Sequence, residues 1–155
     1  INQGLYRIFS QVHTSIFVTS CYLVADILER KVVYANAGHP PPVLLRRSEN
    51  RLLHLSALND DPDIALGLAG DVDYTLQEIQ VFKGDSLILY TDGAFEAQNS
   101  NGEQVGMNRF NEWILQNGDQ PMPELLGNLM QSLEDYCGTN EFGDDVCLFG
   151  MDFVR

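Results

Sequence analysis

The apolar residues of this chain change their period several times, and each change marks an element. Leu5, Ile8, Phe9 and Val12 recur at i, i+3, i+4 and i+7, the spacing that gathers one apolar stripe on an α-helix. From Ile16 the texture turns to Phe17, Val18, Thr19, Cys21, Tyr22, Leu23 and Val24, rich in β-branched and aromatic side chains, which predicts a long strand ending at Asp26. A turn over Leu28–Arg30 leads back into Lys31–Ala35 and makes a hairpin. Pro40, Pro41 and Pro42 then bar both helix and ladder pairing. Two short strands follow, Val43–Arg47 and Arg51–Leu55, around the polar turn Ser48-Glu49-Asn50.

Asn59–Asp63 reads as an acidic loop, and Tyr74–Phe82 as a strand whose alternation breaks between Leu76 and Ile79, as at a bulge. Ser86–Tyr90 is apolar throughout after its serine, which predicts a central strand, and it stops at Asp92-Gly93. Two amphipathic helices come next. Met107, Phe110, Trp113 and Ile114 form the buried face of the first; Leu125, Leu126, Leu129, Met130, Leu133 and Tyr136 form that of the second, with Pro121 and Pro123 suited to its first turn. A last strand runs through Val146–Phe153. Strands, then helices, then a strand, with short connections, predict an α+β fold with mainly antiparallel sheet.

The length, 155 residues, is that of one ordinary domain. With 9 basic and 22 acidic side chains the net charge is −13, a field that repels a phosphate backbone and argues against nucleic-acid binding. An anionic membrane surface is disfavoured for the same reason. The longest uncharged run, Ile8–Ala25, contains Ser10, Gln11, His13 and Thr14 and is too polar to be inserted in a membrane. Cys21, Cys137 and Cys147 are odd in number and far apart, which predicts reduced, mostly buried thiols in a cytoplasmic protein. The chain opens on Ile1 as if within a helix already under way, which predicts a fragment or a processed piece.

Chemistry concentrates in Tyr34–Pro42, Gly84–Gly93 and Gly143–Val146. Asp92 sits at the exit of an apolar strand and Asp144 and Asp145 at the entrance of another. Were those strands neighbours, their ends would converge and the carboxylates would repel one another unless a divalent cation neutralised them. The plainer reading is an Asp-Gly turn and a solvated acidic pair, as in many chains rich in acids. His39, between Gly38 and Pro40, shapes a turn in one reading and takes part in chemistry in another. His13 and His54 read as ordinary side chains on a helix and a strand. No nucleophile elbow, phosphate-binding loop or dinucleotide fingerprint occurs. An EF-hand reading of the stretch from Ala97 fails, since Ala97 and Asn108 occupy the two end positions where carboxylates are needed.

The order Ala35-Asn-Ala-Gly-His-Pro-Pro, Leu66-Gly-Leu68, Gly84-Asp-Ser-Leu-Ile-Leu-Tyr-Thr-Asp-Gly-Ala-Phe-Glu-Ala97 and Gly143-Asp-Asp-Val resembles the bacterial SpoIIE-type branch of the metal-dependent PPM phosphatases, relatives of protein phosphatase 2C. The resemblance runs from Phe17 to Phe153. It implies a β-sandwich of antiparallel sheets flanked by helices. It also implies hydrolysis of phosphoserine or phosphothreonine by a water held on two Mn²⁺ or Mg²⁺ ions. By position Asp92 and Asp144 match metal ligands of the family, with Asp145 a less certain third. The expected substrate is a phosphorylated protein such as an anti-sigma-factor antagonist, and the expected neighbour in the chain is a fused sensor or receiver domain.

The resemblance also implies an upstream segment with Gly-Gly-Asp and Asp-x-Ser-Gly-His-Gly-like motifs, which carries the aspartate bridging the two ions and is absent here. The N-terminal portion of the domain is therefore expected to be missing, this chain alone to be inactive, and unpaired sheet edges to favour a homodimer. Cys147 stands where the family has a hydroxyl residue. The competing expectations are a catalytically silent docking domain of the same fold and, further off, an acidic Ca²⁺ module.

Overall fold

A computed structural model describes residues 1–12, 16–56 and 64–154. His13 and the predicted acidic loop at 59–63 lie outside them. In chain order the elements are α1 (Asn2–Phe9), β1 (Ser20–Asp26), β2 (Lys31–Ala37), β3 (Val43–Arg46), β4 (Arg51–His54), β5 (Gln77–Gln80), β6 (Ser86–Tyr90), α2 (Gly93–Glu96), α3 (Gly106–Gln116), α4 (Met122–Cys137) and β7 (Leu148–Asp152). They form the expected α+β architecture of antiparallel sheets flanked by helices. The chain divides into two compact units, Ile1–Pro41 with Ser56–Val81, and Pro42–Leu55 with Phe82–Arg155.

In the first unit the described strands lie in the order β1-β2-β5, all antiparallel. The β1–β2 hairpin is closed by Asp26, whose Oδ1 accepts from the N–H groups of Leu28 and Glu29 at 3.0 Å each, a side chain mimicking a backbone turn. β1 begins at Ser20, later than predicted, with Val18 making one isolated bridge to Leu66. β5 covers only Gln77–Gln80 of the predicted Tyr74–Phe82, since its ladder on β2 ends at the Tyr34–Gln77 pair.

The face that α1 buries also departs from expectation. Ile8 is 61% exposed and Val12 lies past the helix end. The working face is Asn2, Leu5, Tyr6 and Phe9. Asn2 is buried, accepting from Gly67 N–H at 2.8 Å and donating to Ala69 C=O at 2.7 Å. Phe9 and Tyr6 lie against Gly67 and Gly70. Leu5 and Phe9 keep their predicted place against Gly67, and a polar side chain reading loop backbone joins them in the seam, a choice that hydrophobic periodicity does not register.

In the second unit the strand order is β4-β3-β6-β7, antiparallel throughout, which makes β6 interior as predicted. The short link between β3 and β4 turns at Asn50, whose φ of 46° is left-handed and tolerated by asparagine. Val43, Leu45, Ile88 and Tyr90 point to the helices and meet Phe110 and Ile114 of α3 and Leu125, Leu129 and Leu133 of α4 in one cluster. The predicted faces of both helices are therefore the core-facing ones, with Met107, Trp113, Leu126, Met130 and Tyr136 half-buried around it. Gly138 closes α4 with a left-handed φ of 71°. β7 spans Leu148–Asp152 rather than Val146–Phe153.

None of the three thiols is buried: Cys21 and Cys137 are half-buried and Cys147 is exposed, and none of them is in a disulfide. Among the described residues no helix is long and apolar enough to cross a membrane.

Candidate functional site

Asp92 is set by the elements on either side of it. β6 delivers it from the core, and α2 begins at the next residue, held down by the fully buried Ala94 and by Phe95, whose ring meets Tyr90 edge-on at 6.2 Å. Tyr90 also stacks edge-on against Phe110 at 4.9 Å, and burial pushes its phenol up to about 12, so it stays protonated. The Asp92 carbonyl accepts from Phe95 and Glu96 N–H, and its side chain accepts from Gly93 N–H at 3.1 Å. The α2 turn was not anticipated, because four residues are too few to show a helical period.

The exit of β6 and the entrance of β7 are neighbours, with Tyr90 paired to Leu148. One residue further out, Thr91 N–H donates to Cys147 C=O at 3.1 Å. The Asp144-Asp145 segment then folds onto the Asp92-Gly93 turn so closely that a Cβ on Gly93 would lie 2.7 Å from the Asp145 carbonyl oxygen. The structure thus joins the backbones that carry Asp92, Asp144 and Asp145. All three side chains are exposed, and Asp144 Oδ1 accepts from Asp145 N–H at 2.7 Å.

Carboxylate oxygens are the donors a hard divalent cation takes, and exposed ones at strand ends are open to it, so the donor type fits. The number is partial. Among the described residues no group of three or more His, Cys, Asp or Glu side chains is placed to hold a metal ion.

Beside the turn lies a cleft of about 390 Å³, walled by Gly93, Glu96, Phe142 and Asp144 with Cys137 and Glu141. Burial raises the pKa of the Cys137 thiol, which keeps it protonated. The polar stretch before α3 is a turn built by Asn99, whose side-chain oxygen accepts from the N–H groups of Asn101 and Glu103. A larger hollow, about 670 Å³, belongs to the first unit and contains none of the predicted ligands. His39 is in the first unit as well, in a turn closed by Asn36, which accepts from His39 N–H at 3.0 Å and donates to its carbonyl at 2.7 Å. Its ring nitrogen Nδ1 lies 2.8 Å from the Pro40 carbonyl oxygen, the turn-shaping arrangement.

Sequence reasoning passed over Thr91 and undervalued Gly93. The Thr-Asp-Gly triplet was visible, but the partners of the threonine hydroxyl lie more than fifty residues away.

The chain is similar to proteins of known sequence and structure. A family model described as Stage II sporulation protein E (SpoIIE) matches residues 1–154. The chain is 27% identical over 137 residues to the phosphoserine phosphatase RsbU of Bacillus subtilis, covering 86% of this chain and 40% of that protein. It is 25% identical over 136 residues to the phosphoserine phosphatase RsbP of the same organism, covering 88% and 31%. The chain thus spans less than half the length of either relative. The SiaA-PP2C domain of Pseudomonas aeruginosa superposes with a TM-score of 0.78 at 22% identity, over 97% of this chain and 57% of that one. The phosphatase domain of SpoIIE from Bacillus subtilis does so with a TM-score of 0.64 at 19% identity, over 97% and 63%. Those two likenesses speak for the fold, and the family match over nearly every residue speaks for descent: the chain belongs to the SpoIIE family, the SpoIIE-type branch of the PPM phosphatases.

Proposed function

We propose that this chain is the C-terminal part of a Mn²⁺- or Mg²⁺-dependent phosphoprotein phosphatase domain that hydrolyses phosphoserine or phosphothreonine in bacterial signalling. The observation that carries the reading is the pairing of Tyr90 with Leu148, which sets Asp92 and Asp144-Asp145 at one end of one sheet. In this reading Asp92 and Asp144, with Asp145 as a further donor, supply part of a cation's oxygen shell, and residues outside this chain complete it. A divalent cation there supplies Lewis-acid stabilisation of phosphoryl charge. The chain's own residues orient: β6 and the Phe95 anchor hold Asp92 still, and Gly93 lets the second acidic segment approach. The substrate is a phosphorylated protein, an anti-sigma-factor antagonist by analogy with the family, met in the cytoplasm. A fused sensor or receiver domain fits the share of RsbU and RsbP that this chain leaves uncovered.

The test is hydrolysis of p-nitrophenyl phosphate and of a phosphoserine protein by the full-length protein with Mn²⁺. Turnover abolished by EDTA and by Asp92→Ala is expected. Absence of turnover, or turnover indifferent to Asp92→Ala, would favour a catalytically silent docking domain of the same fold. That second reading has one observation behind it, the lack of a three-ligand group among the described residues.

For the chain in isolation, self-association is expected. β1 lies at an edge of its sheet and exposes Tyr22 (67%) and Val24 (46%), a surface open to pairing with a second copy. A monomer by sedimentation would contradict this.

A further inference from the structure

We infer that Thr91 is a positioning residue that holds the Asp144-Asp145 segment against the Asp92-Gly93 turn. At the register step beyond Tyr90–Leu148, an antiparallel ladder pairs residues 91 and 147 through two backbone bonds. Only one forms, from Thr91 N–H to Cys147 C=O at 3.1 Å. The Thr91 carbonyl is turned instead to the first turn of α2, where it accepts from Ala94 N–H at 3.1 Å. Its place in the ladder is taken by the side chain: the Thr91 hydroxyl accepts from Cys147 N–H at 2.9 Å and donates to the Asp145 carbonyl at 2.7 Å. A hydroxyl can do both at once because it carries one donor and two acceptor sites. One residue therefore ends β6, starts α2 and clamps the acidic segment that precedes β7.

The clamp is local. Thr91 is half-buried while Asp145 and Cys147 are exposed, so water can replace either bond if the hydroxyl is lost. What water cannot supply is a fixed position, since the hydroxyl is tied covalently to the residue that follows β6 and water is not. The consequence for catalysis rests on the phosphatase reading above; the clamping itself does not.

The experiment compares wild type, Thr91→Val and Thr91→Ser in the full-length protein, reading Mn²⁺ affinity by calorimetry, hydrogen exchange over residues 143–147, and the melting temperature. Valine keeps the shape and removes the hydroxyl; serine keeps the hydroxyl. Thr91→Val is expected to weaken Mn²⁺ binding by about 10–100-fold, the usual effect of losing an outer-shell partner. It should also speed exchange over 143–147 with little change in melting temperature, and Thr91→Ser should restore both. Wild-type affinity and exchange in Thr91→Val, or failure of Thr91→Ser to restore them, overturns the proposal and leaves the phosphatase reading standing. Should the wild type take no Mn²⁺ and turn over nothing, that reading fails, and the clamp is judged on exchange alone: faster in valine and restored by serine upholds it, unchanged overturns it.

Discussion

Gly93 lies against Asp145 so tightly that a Cβ on it would come 2.7 Å from the Asp145 carbonyl oxygen and 3.1 Å from the carbonyl carbon. The obstacle is backbone, which cannot swing aside. Helix propensity alone would make Gly93→Ala stabilising by about 1 kcal/mol, whereas overpacking costs about 1–3 kcal/mol. A net loss of stability, with a larger loss of Mn²⁺-dependent turnover, is expected from thermal melts and phosphatase assays on the same variant. A rise in melting temperature with full turnover would show that the two acidic segments need not touch.

Gly150 on β7 faces Met122 at the start of α4, and a Cβ there would collide with the Met122 side chain. The methionine is flexible, so Gly150→Ala should destabilise by about 1–3 kcal/mol. Shortening the obstacle should relieve part of that. In urea titrations the double variant Gly150→Ala/Met122→Ala is expected to lose less than the sum of the two single changes.

Asp85 and Arg46 form an ion pair at 3.3 Å with side chains only 2% and 11% exposed. Asp85 also accepts from Phe82 N–H at 3.0 Å, and the guanidinium sits 4.6 Å from the centre of the Phe82 ring. Arg46→Leu leaves a buried carboxylate uncompensated, which costs about 3–5 kcal/mol. Asp85→Asn keeps an acceptor for Phe82 and leaves the less buried partner, so it should cost less. Chemical denaturation checks the order.

His54 on β4 has its pKa lowered by burial, and its ring nitrogen Nε2 lies 3.2 Å from the Asn111 amide nitrogen. The unfolded chain then takes up a proton at a higher pH than the folded one. Stability is whole above the ordinary histidine pKa of about 6.5 and declines as pH falls through it toward the folded value. His54→Gln should flatten that part of the profile. The difference between the two melting curves as a function of pH isolates this histidine from the many carboxylates.

The elements most visible in the sequence were those with a long, uninterrupted period. The Phe110/Ile114 and Leu125/Leu129/Leu133 faces point into the core as read, and Ser86–Tyr90 is the interior strand its apolar run predicted. Errors fell where a polar side chain or a backbone contact decides the outcome. Asn2 rather than Val12 joins the α1 seam, and β5 stops at Gln77 where its ladder on β2 ends. α2, one turn long, left no periodic trace.

Sequence alone determined the order and type of the longer elements, the acidic charge and the family motifs, because each of these is written in neighbouring residues. That Thr91 would reach both Asp145 and Cys147, and that Gly93 would touch the same segment, was decided only when β6 and β7 paired across the three intervening helices. Those contacts depend on register between distant strands. A hydroxyl's two hydrogen bonds and a missing Cβ gain their meaning from what the fold brings beside them.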